Sequence, residues 1–455
     1  MKKETDILNG NLDKVLWVIA FPIILTNMIE ALYGIIDGLF VANVGTIAVA
    51  SVAFVGPIQD TMTAIGTGLS IAGCSLIARY IGAQDEADAR KMIGNLAVIG
   101  VGIGFAVSLF AFVFADTILL QSGVTESLLA DARIYLRLTS WGIMFNFISI
   151  LYLAIARAQG NTKVAIFING CSILLKIIFC YILTVWQDFG IAGIGIATIL
   201  AQLLCATACL CCMFSPNNPR LLQAREYFVR LPLAKILLIT ALPLIIEKSL
   251  IAYGFVMINK YVLDFGESVL AAYGLTNRVN TVFFKAVTAL GTGLSVVIAQ
   301  NIGAGNHLRA QKAVRKTMVY GVILSITCLC FVLPLRNQIA ALFVDTSDET
   351  YTYMVTAMTI YTASIIPWGI TECVLGVFQG VGKTKYNLLI SLVRIYVLRL
   401  PVVIVFCQPV WGIAERGIWY AMLVSNSLCA VFSFSLYLIK RKKIFRSVSV
   451  EMTQK

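Results

Sequence analysis

Residues 12–24 read LDKVLWVIAFPII, and residues 233–245 read LAKILLITALPLI. A shift of 221 superimposes the two stretches and aligns Pro22 with Pro243. Each stretch opens an apolar run of about 20 residues, which is the length that crosses a bilayer of about 30 Å as an α-helix. The chain is therefore expected to consist of two related halves that each begin with a membrane-spanning helix.

The repeat continues well beyond these first helices. The same shift aligns residues 77–91, IARYIGAQDEADARK, with residues 298–312, IAQNIGAGNHLRAQK. A shift of 222 aligns Gly190-Ile191-Ala192 with Gly412-Ile413-Ala414. Six apolar runs fall in each half, and because six is even the halves run in the same direction through the membrane. In transporters built from such parallel repeats, the binding site lies between the halves near the midplane.

Composition supports a membrane protein. Of 455 residues, 59% are hydrophobic and 13% are charged, with a mean hydropathy of +0.88, whereas soluble domains carry about 25% charged residues. We predict an all-α membrane protein with twelve transmembrane helices in two pseudo-symmetric six-helix bundles. The second and eighth runs, 46–78 and 267–299, are unusually long. Residues 1–14 are charged and lack an apolar core, so no cleavable signal sequence is expected.

The basic residues define the predicted orientation. Most of the 35 Lys and Arg residues lie at the termini and in every second loop, so the net charge of +12 reflects topology rather than nucleic-acid binding. This alternation predicts a multi-pass protein of the bacterial inner membrane with both termini in the cytoplasm. The predicted organisation is an N-terminal lobe at 1–219, a cytoplasmic linker at 220–231, a C-terminal lobe at 232–443 and a cytoplasmic tail at 444–455.

Metal and histidine chemistry are not expected within the membrane. The single histidine, His307, lies in a polar stretch, and four cysteines cluster in one apolar run at Cys205, Cys209, Cys211 and Cys212. Cysteines in such a run are typical of small apolar side chains that pack in a helix. We therefore predict no resident metal and no cofactor.

Four carboxylates inside apolar runs are the candidate ion-coupling residues: Asp37, Glu30, Glu247 and Glu372. A charged group inside a span is costly and generally faces a cavity or a partner. Glu30 and Asp37 are seven residues apart and so share one helix face. A carboxylate in a poorly hydrated cavity can take up and release a proton or exchange it for Na⁺. Sodium is thus possible at Asp37 or at Glu247 with Glu372.

Polar, basic and aromatic groups in the same runs are the candidate lining of a substrate cavity: Asn27, Tyr33, Asn146, Asn169, Lys176, Arg278, Trp368 and Arg394. The bases either neutralise the acids or attract an anionic part of a substrate. Interhelical hydrogen bonds are an equally valid use of the amides. The residues alone leave these alternatives open.

Several motifs resemble those of the multidrug and toxic compound extrusion (MATE) transporters. They are Pro22, Asp37-Gly-Leu-Phe-Val41, Gly45, Ile81-Gly82-Ala83, Arg157-Ala-Gln-Gly-Asn-Thr-Lys163 and Gln379-Gly-Val-Gly-Lys-Thr-Lys385. The resemblance covers nearly the whole chain, and the order of the motifs makes it specific.

This resemblance implies two six-helix lobes around a central cavity that opens alternately to either side. Proton or sodium influx would drive the export of organic, often cationic, small molecules by a monomer that is not an enzyme. Asp37 follows Pro22 by fifteen residues and stands where the family carries a cation- or proton-binding aspartate.

Other positions depart from the family's pattern. The acid expected in span seven would fall at Ile251, and Glu247 lies one turn earlier. The acid expected in span ten would fall near Trp368, and Glu372 lies one turn later. Because these two helices are antiparallel, both displacements point toward the cytoplasm. In span five, Lys176 and Cys180 replace the family's usual Asn and Asp.

Three alternatives remain at the level of sequence. A lipid-linked oligosaccharide flippase of the same superfamily would hold a pyrophosphate with the basic residues of the spans. A major-facilitator-type carrier would also have twelve spans, but its signature is missing from the second loop, at residues 79–86. A membrane-embedded enzyme would need a nucleophile or metal motif in a polar context. The substrate and the choice between H⁺ and Na⁺ are left open.

Overall fold

The computed structural model describes residues 7–161, 163–214, 228–408 and 415–453, with the side chains of 32–37, 39, 42, 46, 163, 165, 442–443 and 446–453 excepted. Fifteen α-helices are found in these residues: α1 Leu12–Val44, α2 Thr46–Gly82, α3 Glu86–Val113, α4 Ala115–Gln121, α5 Glu126–Ala158, α6 Lys163–Cys180, α7 Gly190–Met213, α8 Leu231–Leu263, α9 Glu267–Gly303, α10 His307–Ala341, α11 Glu349–Tyr361, α12 Ile365–Gly380, α13 Lys385–Leu392, α14 Leu400–Phe406 and α15 Arg416–Thr453.

Non-α turns continue three of these helices. A π-helix at Tyr181–Trp186 follows α6, and another at Val393–Arg399 joins α13 to α14. A 3₁₀ turn at Thr362–Ser364 joins α11 to α12. In the described residues, twelve helical segments are long and apolar enough to cross a membrane, so the predicted number of spans is confirmed. The second and eighth spans are the longest, as predicted, and each runs four residues past its predicted end.

The backbone repeats itself as the sequence does. Gly45 ends the first helix of one half with φ 141°, and Gly266, at the equivalent position of the repeat, does so in the other half with φ 108°. Both values lie where only glycine is unstrained. The short turn between the first two helices of each half therefore depends on glycine at the same position of the repeat.

The chain folds into two compact units, and the first is built around α5. This unit comprises Leu32–Ser249 within the described residues. Helix α5 packs against α2, α3 and α7, and α6 packs against α7. Close approach depends on small residues, as is usual between membrane helices. A Cβ at Gly100 of α3 would lie 2.2 Å from Leu151 of α5.

The second unit is built around α12 and, within the described residues, comprises 7–31, 250–408 and 415–453. Helix α12 packs against α9, α10 and α15, which repeats the pairing of α5 with α2, α3 and α7. The contact between α9 and α12 is backbone to backbone, because a Cβ at Gly376 would lie 2.2 Å from the carbonyl oxygen of Gly291.

The first part of α1 belongs to the second unit. Its apolar residues, including Ile19 and Ile23, share a buried core with Leu294 and Val297 of α9. At its start, both carboxylate oxygens of Asp13 accept hydrogen bonds from the Lys316 ammonium of α10, at 2.5 and 2.6 Å. This contact joins the first turn of α1 to the third turn of α10.

The first part of α8 belongs to the first unit. A Cβ at Gly68 of α2 would lie 2.6 Å from Ile245, and the Asn95 side chain of α3 accepts a hydrogen bond from the Arg230 amide at 2.9 Å. Asn95 and Lys316 are equivalent under the shift of 221. The predicted N-terminal lobe contained all of α1 and the predicted C-terminal lobe contained all of α8. In the compact units, the first part of α1 belongs instead to the second unit and the first part of α8 to the first unit. Most of the predicted linker at 220–231 lies outside the described residues.

Candidate functional site

An aromatic stack lies on α12 in the second unit. The Trp368 indole donates a hydrogen bond to the Thr288 hydroxyl of α9 at 3.1 Å. One face of the indole stacks on Phe284 with 5.7 Å between ring centroids. The Arg394 guanidinium lies 4.4 Å from the indole centroid, within the distance of an attractive cation–π contact. The structure thus brings together two of the predicted cavity residues, Trp368 and Arg394.

Arg394 and Arg399 both lie in the π-helix of span eleven. A π-helix has more than four residues per turn, so residues five apart share a face. Both arginines are buried, and Arg399 exposes only 2% of its surface. Arg399 donates to the Asn426 side-chain oxygen at 2.6 Å and to the Ser425 hydroxyl at 3.2 Å. The π-helix therefore turns two guanidinium groups into the interior of this unit.

The Arg399 contacts extend into a chain of hydrogen bonds. The Asn426 amide donates to the Ser364 hydroxyl at 3.0 Å, in the 3₁₀ turn before α12. Two residues earlier in that turn, Thr362 donates to the Asn280 side-chain oxygen at 2.9 Å. A charge taken out of water is retained only where such partners surround it. These polar groups replace water around the buried arginine.

Glu372 follows Trp368 by one helical turn and is half-buried. Its backbone carbonyl lies at the closest approach of α9 and α12, because a Cβ at Gly291 would lie 2.4 Å from it. The second unit therefore holds a carboxylate on α12 one turn from the Trp368 indole, which is in contact with the Arg394 guanidinium.

A second polar group of this unit lies on α1. The Glu30 carboxylate is 3.6 Å from the Lys285 ammonium of α9, and both side chains are exposed. One turn earlier, the Asn27 amide donates to the Lys285 carbonyl at 3.0 Å. This contact favours the interpretation that the bases neutralise the acids, and the predicted role of Glu30 in ion coupling stays a prediction.

The predicted acid of span seven lies in the first unit. Glu247 exposes 1% of its surface and is fully enclosed by protein. The ammonium group of the neighbouring Lys248 is 3.7 Å from its Oε1 atom. The structure describes Glu247 and Glu372 in different compact units, and their predicted pairing stays a prediction.

The remaining predicted residues of the first unit lie on α5 and α6. Lys176 exposes 6% of its surface, and Asn146 and Asn169 are half-buried. The Asn169 side-chain oxygen lies 3.8 Å from the Cys205 thiol, which also lies 3.4 Å from the Ser149 hydroxyl. The asparagine thus takes part in interhelical hydrogen bonding, one of the two uses considered for it.

Three predicted residues remain. Arg278 of α9 is exposed. The side chains of Asp37 and Tyr33 lie outside the described residues, so the predicted roles of both stay predictions. No group of three or more His, Cys, Asp and Glu residues that could hold a metal ion is found in the described part of the chain.

Sequence reasoning missed the environment of Arg399. Arg399 is not among the residues predicted for the site, but the structure buries it against Asn426 and Ser425. The spacing of five residues from Arg394 is the available signal. This spacing indicates a shared face only if the helix is known to widen into a π-helix. On an α-helix, residues five apart point in different directions.

Comparison with known proteins gives the family. The MatE family model matches residues 22–182 and 243–405, two segments that begin at the aligned prolines Pro22 and Pro243. The chain is 22% identical over 440 residues to "Probable multidrug resistance protein YoeA" of Bacillus subtilis (strain 168), covering 94% of each chain. It is 24% identical to "Probable multidrug resistance protein YpnP" of the same organism, covering 96% of this chain and 97% of the relative.

The fold is also that of known structures. A structure entitled "Crystal structure of MATE in complex with MaL6" superposes with a TM-score of 0.92 at 19% identity, covering 99% of this chain and 100% of that one. The family model spans most of both halves, and the twelve spans and the paired units agree with it. This protein is therefore a twelve-span membrane transporter that belongs to the MatE family of multidrug efflux (MATE) transporters.

Proposed function

We propose that this protein is a cation-coupled antiporter that exports organic, amphipathic cationic compounds by alternating access. The coupling ion is H⁺ or Na⁺, bound at Asp37 and at Glu247 and Glu372, with no cofactor. The protein acts as a monomer in the inner membrane of a bacterium, with both termini in the cytoplasm, and binds no nucleic acid. The printed names of its relatives, which are multidrug resistance and multidrug export proteins, support the substrate class.

The burial of Glu247 carries the proposal. A carboxylate that exposes 1% of its surface inside a membrane span is costly in its ionised form. Binding a proton or a sodium ion removes much of that cost. A change in hydration around Glu247 would therefore change its affinity for the ion. A ligand shifts a conformational equilibrium only by its differential affinity for the two states, and this carboxylate supplies such a difference.

The aromatic stack of the second unit supports a cationic aromatic substrate. The indole of Trp368 already stacks on a phenyl ring and holds a guanidinium in cation–π contact. A planar cation that displaced the Arg394 side chain would gain the same cation–π attraction. Glu372, one turn away, would add electrostatic attraction. Lys176 and Arg278 would then repel the substrate rather than bind it.

The experiment compares Glu247→Gln with Glu267→Gln in everted vesicles. Glutamine keeps the shape of the side chain and removes the titratable group. Glu267 lies exposed in the first turn of α9 and provides a control with the same chemical change. Ethidium or fluoroquinolone transport is driven by a pH gradient and then by a sodium gradient, and substrate binding is measured separately without a gradient.

Loss of coupling at Glu247 alone is the expected result. Gradient-driven transport should fall about tenfold or more in Glu247→Gln, within the usual range of coupling between two sites, while binding without a gradient persists and Glu267→Gln behaves as the parent. Asp37→Asn and Glu372→Gln are expected to behave as Glu247→Gln does. Full gradient-driven transport in all three variants would refute the proposal, and transport of lipid-linked sugar instead of dye would favour a flippase.

A further inference from the structure

An apolar groove runs along the outer surface of the second unit between α10, α12 and α15. Its volume is about 450 Å³, and its lining is entirely apolar and includes Val319, Ile323, Ile370 and Phe434. The neighbouring Val431 exposes 65% of its surface. An open groove of this kind on the surface of a membrane helix bundle is accessible to lipid acyl chains.

The first unit carries a matching groove between α3, α5 and α7. Its volume is also about 450 Å³. The shift of 221 takes Val98 of its lining onto Val319, and a shift of 222 takes Ile148 onto Ile370. The groove is therefore a consequence of the way in which each half packs, and the repeat provides an internal comparison.

The second groove has an arginine on each of two of its helices. Arg315 is exposed and precedes Val319 by four residues, so it lies on the groove face of α10. Arg441 is exposed and follows Phe434 by seven residues on α15. The buried Tyr437 of α15 shares a core cluster with Val314, the residue before Arg315, and its ring lies 6.3 Å from that of Phe434. Both arginines therefore lie toward the same end of the groove.

The matching position of the first unit is not basic. Gly94 stands where Arg315 stands in the repeat, and it is buried. The first groove thus has about the same volume, with glycine in place of arginine at this position of α3. The groove is therefore common to both halves, whereas arginine stands at this position of the repeat in the second half alone.

We propose that the groove between α10, α12 and α15 binds one anionic phospholipid, with an acyl chain along the groove and the phosphate on Arg315 and Arg441. Arginine is well suited to phosphate because its planar fork donates two parallel hydrogen bonds. Basic pockets between membrane helices on the cytoplasmic side are favourable sites for anionic headgroups. The proposed orientation places both arginines in the cytoplasmic leaflet, but the preference for an anionic lipid does not depend on it.

The experiment uses a tryptophan reporter inside the groove. Phe434→Trp is reconstituted into vesicles of phosphatidylcholine with a brominated acyl chain on either phosphatidylglycerol or phosphatidylcholine, and quenching is measured after subtraction of the signal from the parent protein. Arg315→Gln/Arg441→Gln is compared with Lys235→Gln/Lys383→Gln, which loses the same charge at other sites. Native mass spectrometry of the unaltered protein counts retained lipids as an independent measurement.

Phosphatidylglycerol should quench the reporter more strongly than phosphatidylcholine. Each arginine is expected to contribute about fivefold in relative affinity, so the arginine pair should lose about 25-fold and the lysine pair almost nothing. Equal quenching by both lipids, an equal loss in the lysine pair, or no preferential retention of phosphatidylglycerol in the mass spectrum would overturn the proposal. Transport is not measured, so the result stands apart from the proposed coupling.

Discussion

Replacing Gly376 with alanine should separate α9 from α12 and disturb the region around Glu372. The added Cβ would lie 2.2 Å from the carbonyl oxygen of Gly291, whereas ordinary van der Waals contact begins at 3.4 Å. The two backbones must therefore move apart by the difference between these distances, roughly 1 Å, because a close-packed interior has no void to absorb it. No flexible side chain can absorb this displacement either, because the atom that is met belongs to the backbone.

The cost follows from two effects. Overpacking of a close contact costs about 1–3 kcal/mol, and moving α12 also stretches the Trp368–Thr288 hydrogen bond, which contributes about 1 kcal/mol. Alanine favours a helix over glycine by about 1 kcal/mol, which offsets part of this cost. We expect a net loss of about 1–3 kcal/mol and weaker dye binding, because positions 368, 372 and 376 lie along one line of α12.

The control is Gly274→Ala in α9, where an added Cβ meets nothing within 4 Å. Its helix should gain stability without a steric cost. The assay is the apparent unfolding temperature in detergent together with ethidium binding, measured for both variants and the parent. If Gly376→Ala unfolds at the temperature of the parent or above and binds dye normally, the backbone contact between α9 and α12 does not have the role assigned to it.

Two further predictions concern single hydrogen-bonding groups. Asn426→Leu removes the oxygen that accepts from Arg399 and should lower stability by about 1.5–3 kcal/mol, visible as a lower apparent unfolding temperature; an unchanged value would contradict the role of the network. Asp348 caps α11 by accepting from the Thr350 amide at 2.8 Å, and this bond lowers its pKa below the ordinary 3.8. The stabilisation by this cap should therefore be complete above pH 3.8 and be lost as the pH falls through the lower pKa of the folded protein. Hydrogen exchange at the start of α11 should be faster in Asp348→Ala than in the parent at pH 7. The difference between the two proteins should vanish at low pH.

The positions of the spans could be predicted from the sequence because the membrane restricts the possible structures. Backbone groups in hydrocarbon must be satisfied within the segment, so a long apolar run can only be a helix. This reasoning gave the twelve spans and the unusual length of α2 and α9. The structure adds the reason why Gly45 recurs as Gly266 in the repeat: both adopt a positive φ, which only glycine does without strain.

The candidate site was only partly predictable. The residue types that are costly in a membrane identified Glu247, Glu372 and Arg394 as the side chains to examine. Their partners could not be found in this way, because a hydrogen bond between Arg399 and Asn426 depends on how two distant segments pack. The burial of Arg399 also required a π-helix, which depends on tertiary contacts rather than on local propensity.

By itself, the sequence determined the number of spans, the internal repeat and the family, since each of these depends on local apolarity or on residues compared at a fixed spacing. Only the tertiary structure decided that the first parts of α1 and α8 pack into opposite compact units, that Trp368 meets Arg394, and that α9 touches α12 backbone to backbone. The physical reason is that lipid is as apolar as the helix surfaces it covers. Helix pairing is then decided by close packing and hydrogen bonds between residues far apart in the chain, and these leave no periodic signal in the sequence.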